Sequence, residues 1–143
     1  MSFTRARGIG GSGVPLIETF TLYNASIASC GLEIGKPEPK RSRSITFKDL
    51  LSGVNQCANL LHYLDVKKDD VVSLLLPNFI ETHFALWGSE AAGIVNPVNP
   101  LLEAEVIRDI LNAAGTKVLI ALGKAPGSDI WKKVLSIKDQ IPT

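Results

Sequence analysis

The regular pattern of apolar positions begins at Ile45 and predicts a first long helix. Apolar residues recur every three or four positions, the spacing of a helix with one buried face. They are Phe47, Leu50, Leu51, Val54, Cys57, Ala58, Leu61 and Leu64. Thr46 is the expected N-cap, and Asp49 follows it at the position of a capping-box acid. Gly53 lowers the helix propensity of this segment without ending it.

Three short apolar runs predict strands of a parallel sheet. The first is Val71–Leu76, which Pro77 closes, and it shows no polar alternation. Such a run is typical of a strand that is covered on both faces. The second is Ile94–Val95, which stops at Asn96-Pro97, and the third is Lys117–Ala121.

Three further helical patterns separate and follow these runs. In the second helix Asn78 is the expected cap, with Glu81 at the capping-box position, and Gly93 marks the end. Its apolar stripe is formed by Ile80, Phe84, Trp87 and Ala91. The third pattern ends at Gly115 and carries Val106, Ile107, Ile110, Leu111 and Ala114. A last amphipathic pattern runs from Ile130 to Ile141.

The order of these elements predicts an α/β fold, a partial βαβαβ sheet with helices on its faces. Short connections between such strands imply right-handed crossovers and a parallel sheet. Residues 1–44 are expected to form an irregular leader that ends in the basic, proline-containing loop Lys36–Arg43, and residues 45–143 the α/β unit. Because exposed edges are unusual in a small parallel sheet, we expect the unit to belong to a larger sheet or to pair with another chain.

Composition excludes several classes of protein. With 45% apolar and 20% charged residues and a mean hydropathy of +0.19, the chain is too apolar for intrinsic disorder. The net charge of +1 predicts no nucleic-acid partner through bulk charge. Cys30 and Cys57 form no CxxC motif, which favours two reduced thiols in a cytoplasmic protein. The sequence contains no apolar run long enough for a membrane span and no secretory signal.

The motifs that can carry chemistry each have a plainer interpretation. Gly8–Gly13 matches GxGxxG but follows no strand and opens no helix, so a flexible leader is favoured over a dinucleotide site. His62 and His83 lie on different helices without a second ligand at metal spacing, so both are expected at the helix surface. Cys57 lies on a buried stripe and is expected to be a packed thiol. The loop Lys36–Arg43 lacks interleaved aromatic residues and is interpreted as solvated.

In parallel α/β sheets, ligands bind at the carboxyl ends of the strands. Here those ends carry Pro77-Asn78, Asn96–Asn99 and Leu122–Lys124. These loops hold amides and one lysine, without a general acid–base pair or an activated nucleophile. The sequence therefore predicts no catalytic, cofactor-binding or metal-binding residue.

Four stretches of the chain carry a family resemblance. They are Ile45–Leu50, Asp69–Asn78, Ala91–Pro100, and Ala104–Gly115 followed by Lys117–Ile120. In this order and spacing they resemble the early segments of the AMP-forming, adenylate-forming ligases, most like a fatty-acyl-CoA synthetase. Three places depart from the family pattern. One is Glu90-Ala91, which stands where the family usually has Lys-Ala. Asp69 stands where the family usually has glycine, and Glu103 stands where it often has a serine or threonine helix cap.

The resemblance implies a parent enzyme that uses ATP, Mg²⁺ and CoA. In this family a carboxylate attacks the α-phosphate of ATP to give an acyl-adenylate and pyrophosphate, and the CoA thiol then displaces AMP. The resemblance covers residues 44–122, whereas the family's ATP loop, nucleotide-binding segments and catalytic lysine come later. We therefore expect the first part of the large N-terminal domain of an acyl-CoA synthetase. This chain is expected to be inactive without the remainder of the ligase chain and to hold no cofactor itself.

A second hypothesis is a stand-alone α/β module for interaction or oligomerisation that has lost the ligase chemistry. The exposed sheet edge and the mildly apolar composition motivate it. A homo-oligomer is also predicted, because the flexible Gly8–Gly13 segment would let residues 1–24 reach a neighbouring chain and an incomplete sheet would leave an adhesive face. The ligase hypothesis is favoured because Asp139–Thr143 resembles a connection that continues onward.

Overall fold

A computed structural model describes the backbone of residues 16–18 and the whole of residues 45–141. The helices are α1 (Phe47–Tyr63), α2 (Ile80–Ala92), α3 (Ala104–Ala113) and α4 (Ile130–Ile137). The strands are β1 (Leu16–Glu18), β2 (Val71–Leu75), β3 (Ile94–Pro97) and β4 (Thr116–Ala121). A 3₁₀ turn, Lys138–Gln140, follows α4. The α/β fold predicted from the sequence is confirmed.

The described strands form one parallel sheet in the order β1-β4-β2-β3. β1 was not expected, because Leu16–Glu18 lies within the predicted irregular leader and is only three residues long. It pairs with β4 in the register Leu16↔Leu119 to Glu18↔Ala121. Three residues are too few for a periodic signal, so pairing with β4 defines this strand. The rest of the leader, including Lys36–Arg43, lies outside the described residues.

Two hydrophobic clusters cover the two faces of the sheet. Val72 and Leu74 of β2 pack with residues of α1 and α2. Leu75, at the end of the same strand, packs with residues of α3 and α4 instead. The same alternation holds in β4, where Val118 and Ile120 face one cluster and Leu119 and Ala121 the other. Burial on both faces explains why the sequences of β2 and β4 are mostly apolar, without the alternation of a strand that has one exposed face.

Helix α1 begins and ends at identifiable capping contacts. The Thr46 Oγ1 accepts a hydrogen bond from the Asp49 main-chain N–H at 3.1 Å, as the sequence predicted. At the other end, Asp65 adopts a positive φ of 62°. Its N–H donates to the His62 carbonyl, and the Val66 N–H donates to the Leu61 carbonyl. These two bonds form a Schellman motif, with aspartate where glycine is usual.

The predicted buried stripe of α1 holds only for its later turns. Cys57, Ala58 and Leu61 are buried, whereas Phe47 is 89% and Leu51 is 60% exposed. The first turns therefore extend past the neighbouring elements of the described structure.

Helix α2 differs from the prediction at its start and on its exposed side. The N-cap is Phe79 rather than Asn78, and the Phe79 N–H donates to the Thr82 Oγ1 at 3.3 Å. Trp87 is 49% exposed and Ala91 is also exposed, so the predicted stripe is wrong at these two positions. Apart from Phe84, the buried residues of α2 are small. At Gly88 an added Cβ would be 2.5 Å from the Cys57 Cβ, so the close approach of α1 requires a residue without a side chain there.

The third and fourth helices follow the predicted pattern with shorter bounds. In α3, Ile107 and Leu111 are fully buried, whereas Val106 is 45% exposed. Gly115 has a φ of 64° and follows the end of α3, as predicted. The last pattern is split, because α4 ends at Ile137 and the 3₁₀ turn leads to the buried Ile141.

Candidate functional site

The parallel strands bring three loops together at their carboxyl ends. β2, β3 and β4 end at Leu75, Pro97 and Ala121, respectively. The Val98 N–H donates to the Leu74 carbonyl at 2.8 Å, and the Leu122 N–H donates to the Leu75 carbonyl at 3.2 Å. The loop after β2 leads to α2 on one face, whereas the loops after its two neighbours lead to α3 and α4 on the other face. Ligands bind at such a topological switch point in this class of fold.

The loop after β2 is held by a threonine of α2. The Thr82 Oγ1 donates to the Pro77 carbonyl at 2.5 Å and accepts from the Phe79 N–H. The His83 Nδ1 lies 2.9 Å from the Phe79 carbonyl oxygen. Asn78, expected as a helix cap, is instead an exposed residue of this loop.

The loops after β3 and β4 are also shaped by their own polar groups. The Asn99 Oδ1 accepts a hydrogen bond from the Leu101 N–H at 3.0 Å. The Lys133 Nζ forms an ion pair with Asp129 at 3.1 Å and donates to the Pro100 carbonyl at 3.4 Å. Lys124 is exposed. The polar groups that define these loops therefore hold main-chain turns.

The perturbed charges lie at the opposite, amino edge of the sheet. The Lys117 Nζ contacts the Asp70 Oδ2 at 2.6 Å and donates to the Asp65 carbonyl at 2.8 Å. The hydrogen bond from Lys117, and then that from the Lys67 N–H, lowers the pKa of Asp70 below its ordinary value. The hydrogen bond and charge of Lys67 lower the pKa of Asp65, and Asp65 in turn raises the pKa of Lys67. These groups fasten the connection between α1 and β2 to β4.

The cysteine and the two histidines take the positions expected from the sequence. Cys57 is 4% exposed, and burial raises the pKa of its thiol to about 11. Because this pKa lies far above neutral pH, the thiol is almost entirely protonated there. It is therefore unreactive, since the thiolate is the reactive form of cysteine. His62 and His83 are both exposed on their helices. Cys30 and Gly8–Gly13 lie outside the described residues.

A buried polar relay crosses the sheet and was not predicted. The Asn96 Nδ2 donates to the Ser73 Oγ at 2.9 Å, and the Ser73 Oγ lies 2.7 Å from the Thr116 Oγ1. The Thr116 Oγ1 donates to the Leu111 carbonyl at 2.9 Å. Each donor in the relay therefore points from β3 towards the last turn of α3. The single serine within the apolar run of β2 is the signal that could have indicated it, because buried hydroxyls require partners.

The described part of the chain offers no ready metal site. Within residues 45–141, no three histidine, cysteine, aspartate or glutamate side chains gather where an ion could bind. None of the described helices has the length and apolar character needed to cross a bilayer.

Comparisons with known proteins agree with the fold and the resemblance. The chain is 36% identical over 91 residues to marinolic acid–CoA ligase of a Pseudoalteromonas species, which covers 62% of this chain and 14% of that enzyme. It is 34% identical over 84 residues to the long-chain fatty-acid–CoA ligase FadD13 of Mycobacterium tuberculosis, covering 58% of this chain and 17% of that enzyme. The chain thus spans about one sixth of the length of these relatives.

Solved structures of similar fold come from the same group of enzymes. The anthranilate–CoA ligase AuaEII in complex with anthranoyl-AMP superposes with a TM-score of 0.63 and 26% identity, over 70% of this chain and 19% of that one. The N-terminal domain of FACL13 from Mycobacterium tuberculosis gives a TM-score of 0.56 and 29% identity, over 64% of this chain and 23% of that one.

The family model described as AMP-binding enzyme matches residues 28–142. That match covers most of the chain and includes all four helices and three of the four described strands. The relatives and the solved structures of similar fold named above are CoA ligases or a domain of a related protein, which accords with it. The chain therefore belongs to the family of AMP-binding enzymes, the adenylate-forming acyl-CoA synthetases, and corresponds to an N-terminal portion of them.

Proposed function

We propose that this chain forms the first α/β layer of an ATP-dependent ligase that joins a carboxylic acid to CoA. The carboxylate would first become an acyl-adenylate, and the CoA thiol would then displace AMP. A fatty acid is the proposed substrate, since one relative is a long-chain fatty-acid–CoA ligase. The proposed reaction takes place in the cytoplasm.

The role proposed for the described residues is that of a scaffold. The observation that carries it is that polar side chains at the carboxyl edge are already hydrogen-bonded to main-chain groups of the loops. These side chains are Thr82, Asn99 and Lys133. Such bonds give the edge a defined shape that a further part of an enzyme can build upon. They leave these groups less suited to transferring protons or binding phosphate.

The described residues offer Mg²⁺ no ready site. Mg²⁺ requires several oxygen ligands in octahedral geometry, and the Asp129 carboxylate at this edge is already paired with Lys133. In this proposal the described residues therefore do not hold the Mg²⁺ ion. ATP, Mg²⁺ and CoA are proposed for the complete ligase.

Exchange of radiolabelled pyrophosphate into ATP tests the scaffold role. The purified 143-residue chain would be assayed with ATP, Mg²⁺ and a series of carboxylic acids of increasing chain length. We expect no exchange above a blank without protein. Exchange that depends on one of the acids would overturn the scaffold role and place the adenylation chemistry in this chain.

The size of the product in source cells tests membership of a larger ligase. An antibody raised against this chain should detect a band several times larger than 15.4 kDa, and that species, once purified, should form acyl-CoA. A band near 15.4 kDa would instead support the second candidate, an α/β interaction module.

The exposed apolar residues are the observation that favours this second candidate. Leu101 is 84% exposed and Trp87 is 49% exposed. Side chains of this size on the surface are typical of contact with another protein surface when they form a patch. In a complete ligase, the same residues are available for packing against the remainder of the enzyme.

A further inference from the structure

β3 lies at one side of the described sheet and has a backbone edge that faces away from β2. The Ile94 N–H donates to the Asp70 carbonyl at 2.9 Å, and the Val98 N–H donates to the Leu74 carbonyl at 2.8 Å. In a strand, the N–H and C=O groups of alternate residues point to opposite sides of the ladder. The main-chain groups of Val95 and Pro97 therefore point outward, away from β2.

This outward edge is poor in hydrogen-bond donors. Pro97 has no N–H group, and the N–H of Gly93, the preceding position of the same parity, donates to the Ser89 carbonyl at 2.8 Å. Between Gly93 and Pro97, Val95 therefore contributes the one outward N–H group of β3. Because an added strand needs a donor at every second residue of the edge it joins, β3 can offer an incoming strand only one.

The edge otherwise has the features that promote pairing between chains. Ile94 is 50% exposed, and Val95 is partly exposed. An apolar edge strand with free backbone groups is a template for further strands, and proline is one of the residues by which natural proteins block this. Proline is tolerated at such an edge because its missing N–H would have faced outward.

We propose that Pro97 closes the β3 edge to strand addition by a second copy of this chain. Association of copies must then use other surfaces, and strand addition to the described sheet is left to its opposite side, at β1. The inference does not depend on the proposed ligase function, because it rests only on the backbone of β3 and its neighbours.

Replacement of Pro97 in the full 143-residue chain tests the proposal. Pro97→Val restores an outward donor on each copy, so a symmetric pair of edges gains two hydrogen bonds. We expect the self-association constant, measured by sedimentation equilibrium, to rise about tenfold or more. Infrared bands of intermolecular β-structure should increase with the protein concentration. Pro100→Val, the same change in the following loop, is the matched control and should leave association at the level of the unmodified chain.

A second change identifies the edge that is responsible. Val95→Pro removes the remaining outward N–H without removing a bond to β2. Added to Pro97→Val, it should return the association constant to that of the unmodified chain. Circular dichroism and the urea midpoint establish that each variant is folded.

Two results would overturn the proposal. One is a folded Pro97→Val chain that associates no more strongly than the Pro100→Val control. The other is an unmodified chain that self-associates and loses this association through Val95→Pro alone, because its β3 edge would then already be open. The comparison of the unmodified chain with Val95→Pro does not use the Pro97→Val chain, so it can be made even if Pro97→Val does not fold.

Discussion

The amino and carboxyl edges of the sheet are held by different kinds of contact. At the amino edge, Lys117, Asp70 and the carbonyl of Asp65 form a charged group that ties β4 to the connection before β2. At the carboxyl edge, Thr82 and Asn99 each bond to main-chain groups of their own loop, and Lys133 joins the loops after β3 and β4. The edge with perturbed pKa values is therefore not the edge at which this fold class binds ligands. A shifted pKa indicates a strong local interaction, and here that interaction fastens a connection.

The largest effect is expected from filling the close approach at the amino edge. A Cβ at position 93 would lie 2.6 Å from the Asp70 carbonyl oxygen and 2.9 Å from that of Lys67. Because both are main-chain atoms that cannot rotate away, Gly93→Ala should lower the free energy of unfolding by roughly 3 kcal/mol. Urea denaturation measures this.

Gly115→Ala is the matched control for this clash. It makes the same chemical change at a φ of 64° with open space around the Cβ, and should cost roughly 1 kcal/mol for the left-handed backbone alone. Equal losses in the two variants would show that the close approach at Gly93 is unimportant.

Lys117→Met is expected to loosen the same edge to a smaller extent. The lost hydrogen bond to the Asp65 carbonyl should cost roughly 1 kcal/mol, and loss of the partner of Asp70 adds to this. Amide hydrogen exchange should increase between Asp65 and Asp70. Unchanged exchange there would contradict the proposed fastening role.

The same variant should change the acid sensitivity of the protein. The pKa of Asp70 is lower in the folded chain than its ordinary 3.8, so the unfolded chain binds protons first as the pH falls. The stabilisation is present above the ordinary pKa of 3.8 and is lost as the pH falls through the lower pKa of the folded chain. Unfolding midpoints between pH 2 and 6 should fall less steeply in Lys117→Met; identical slopes would rule out this linkage.

At the carboxyl edge, Thr82→Val is expected to lower the free energy of unfolding by no more than Lys117→Met does. Valine keeps the shape but removes the bonds to Pro77 and Phe79, which should cost roughly 1 kcal/mol. Exchange should rise in the first turn of α2 and remain unchanged near Lys117. If the increase also reached the amino edge, the two edges would not be independent.

Asn99→Ala should have the smallest effect, because its bond to the Leu101 N–H is exposed to water. We expect a loss of about 0.5 kcal/mol by urea denaturation. A loss as large as that of Gly93→Ala would show that the carboxyl edge is as tightly constrained as the amino edge.

Strong local periodicity explains which elements were predictable. The α1 cap at Thr46 and the end of α3 at Gly115 depend on residues close in sequence, and both are confirmed. The exposure of Phe47 and Trp87 was not predictable, because their apolar character is the same whether or not another element covers them. At the carboxyl edge, Asn96 and Pro97 were expected to follow the second strand, but both belong to β3. Asn78 was assigned a capping role that Thr82 and Phe79 take instead.

The sequence by itself determined the α/β class, the parallel strands and the family, because apolar periodicity and short motifs are local properties of the chain. Tertiary structure decided the pairing of Leu16–Glu18 with β4, the relay from Asn96 through Ser73 to Thr116, and the ion pair between Lys117 and Asp70. Each joins residues far apart in sequence. Their partners are specified only when the strands take their places in the sheet, since hydrogen bonds and ion pairs depend on distances of a few ångströms that no local pattern encodes.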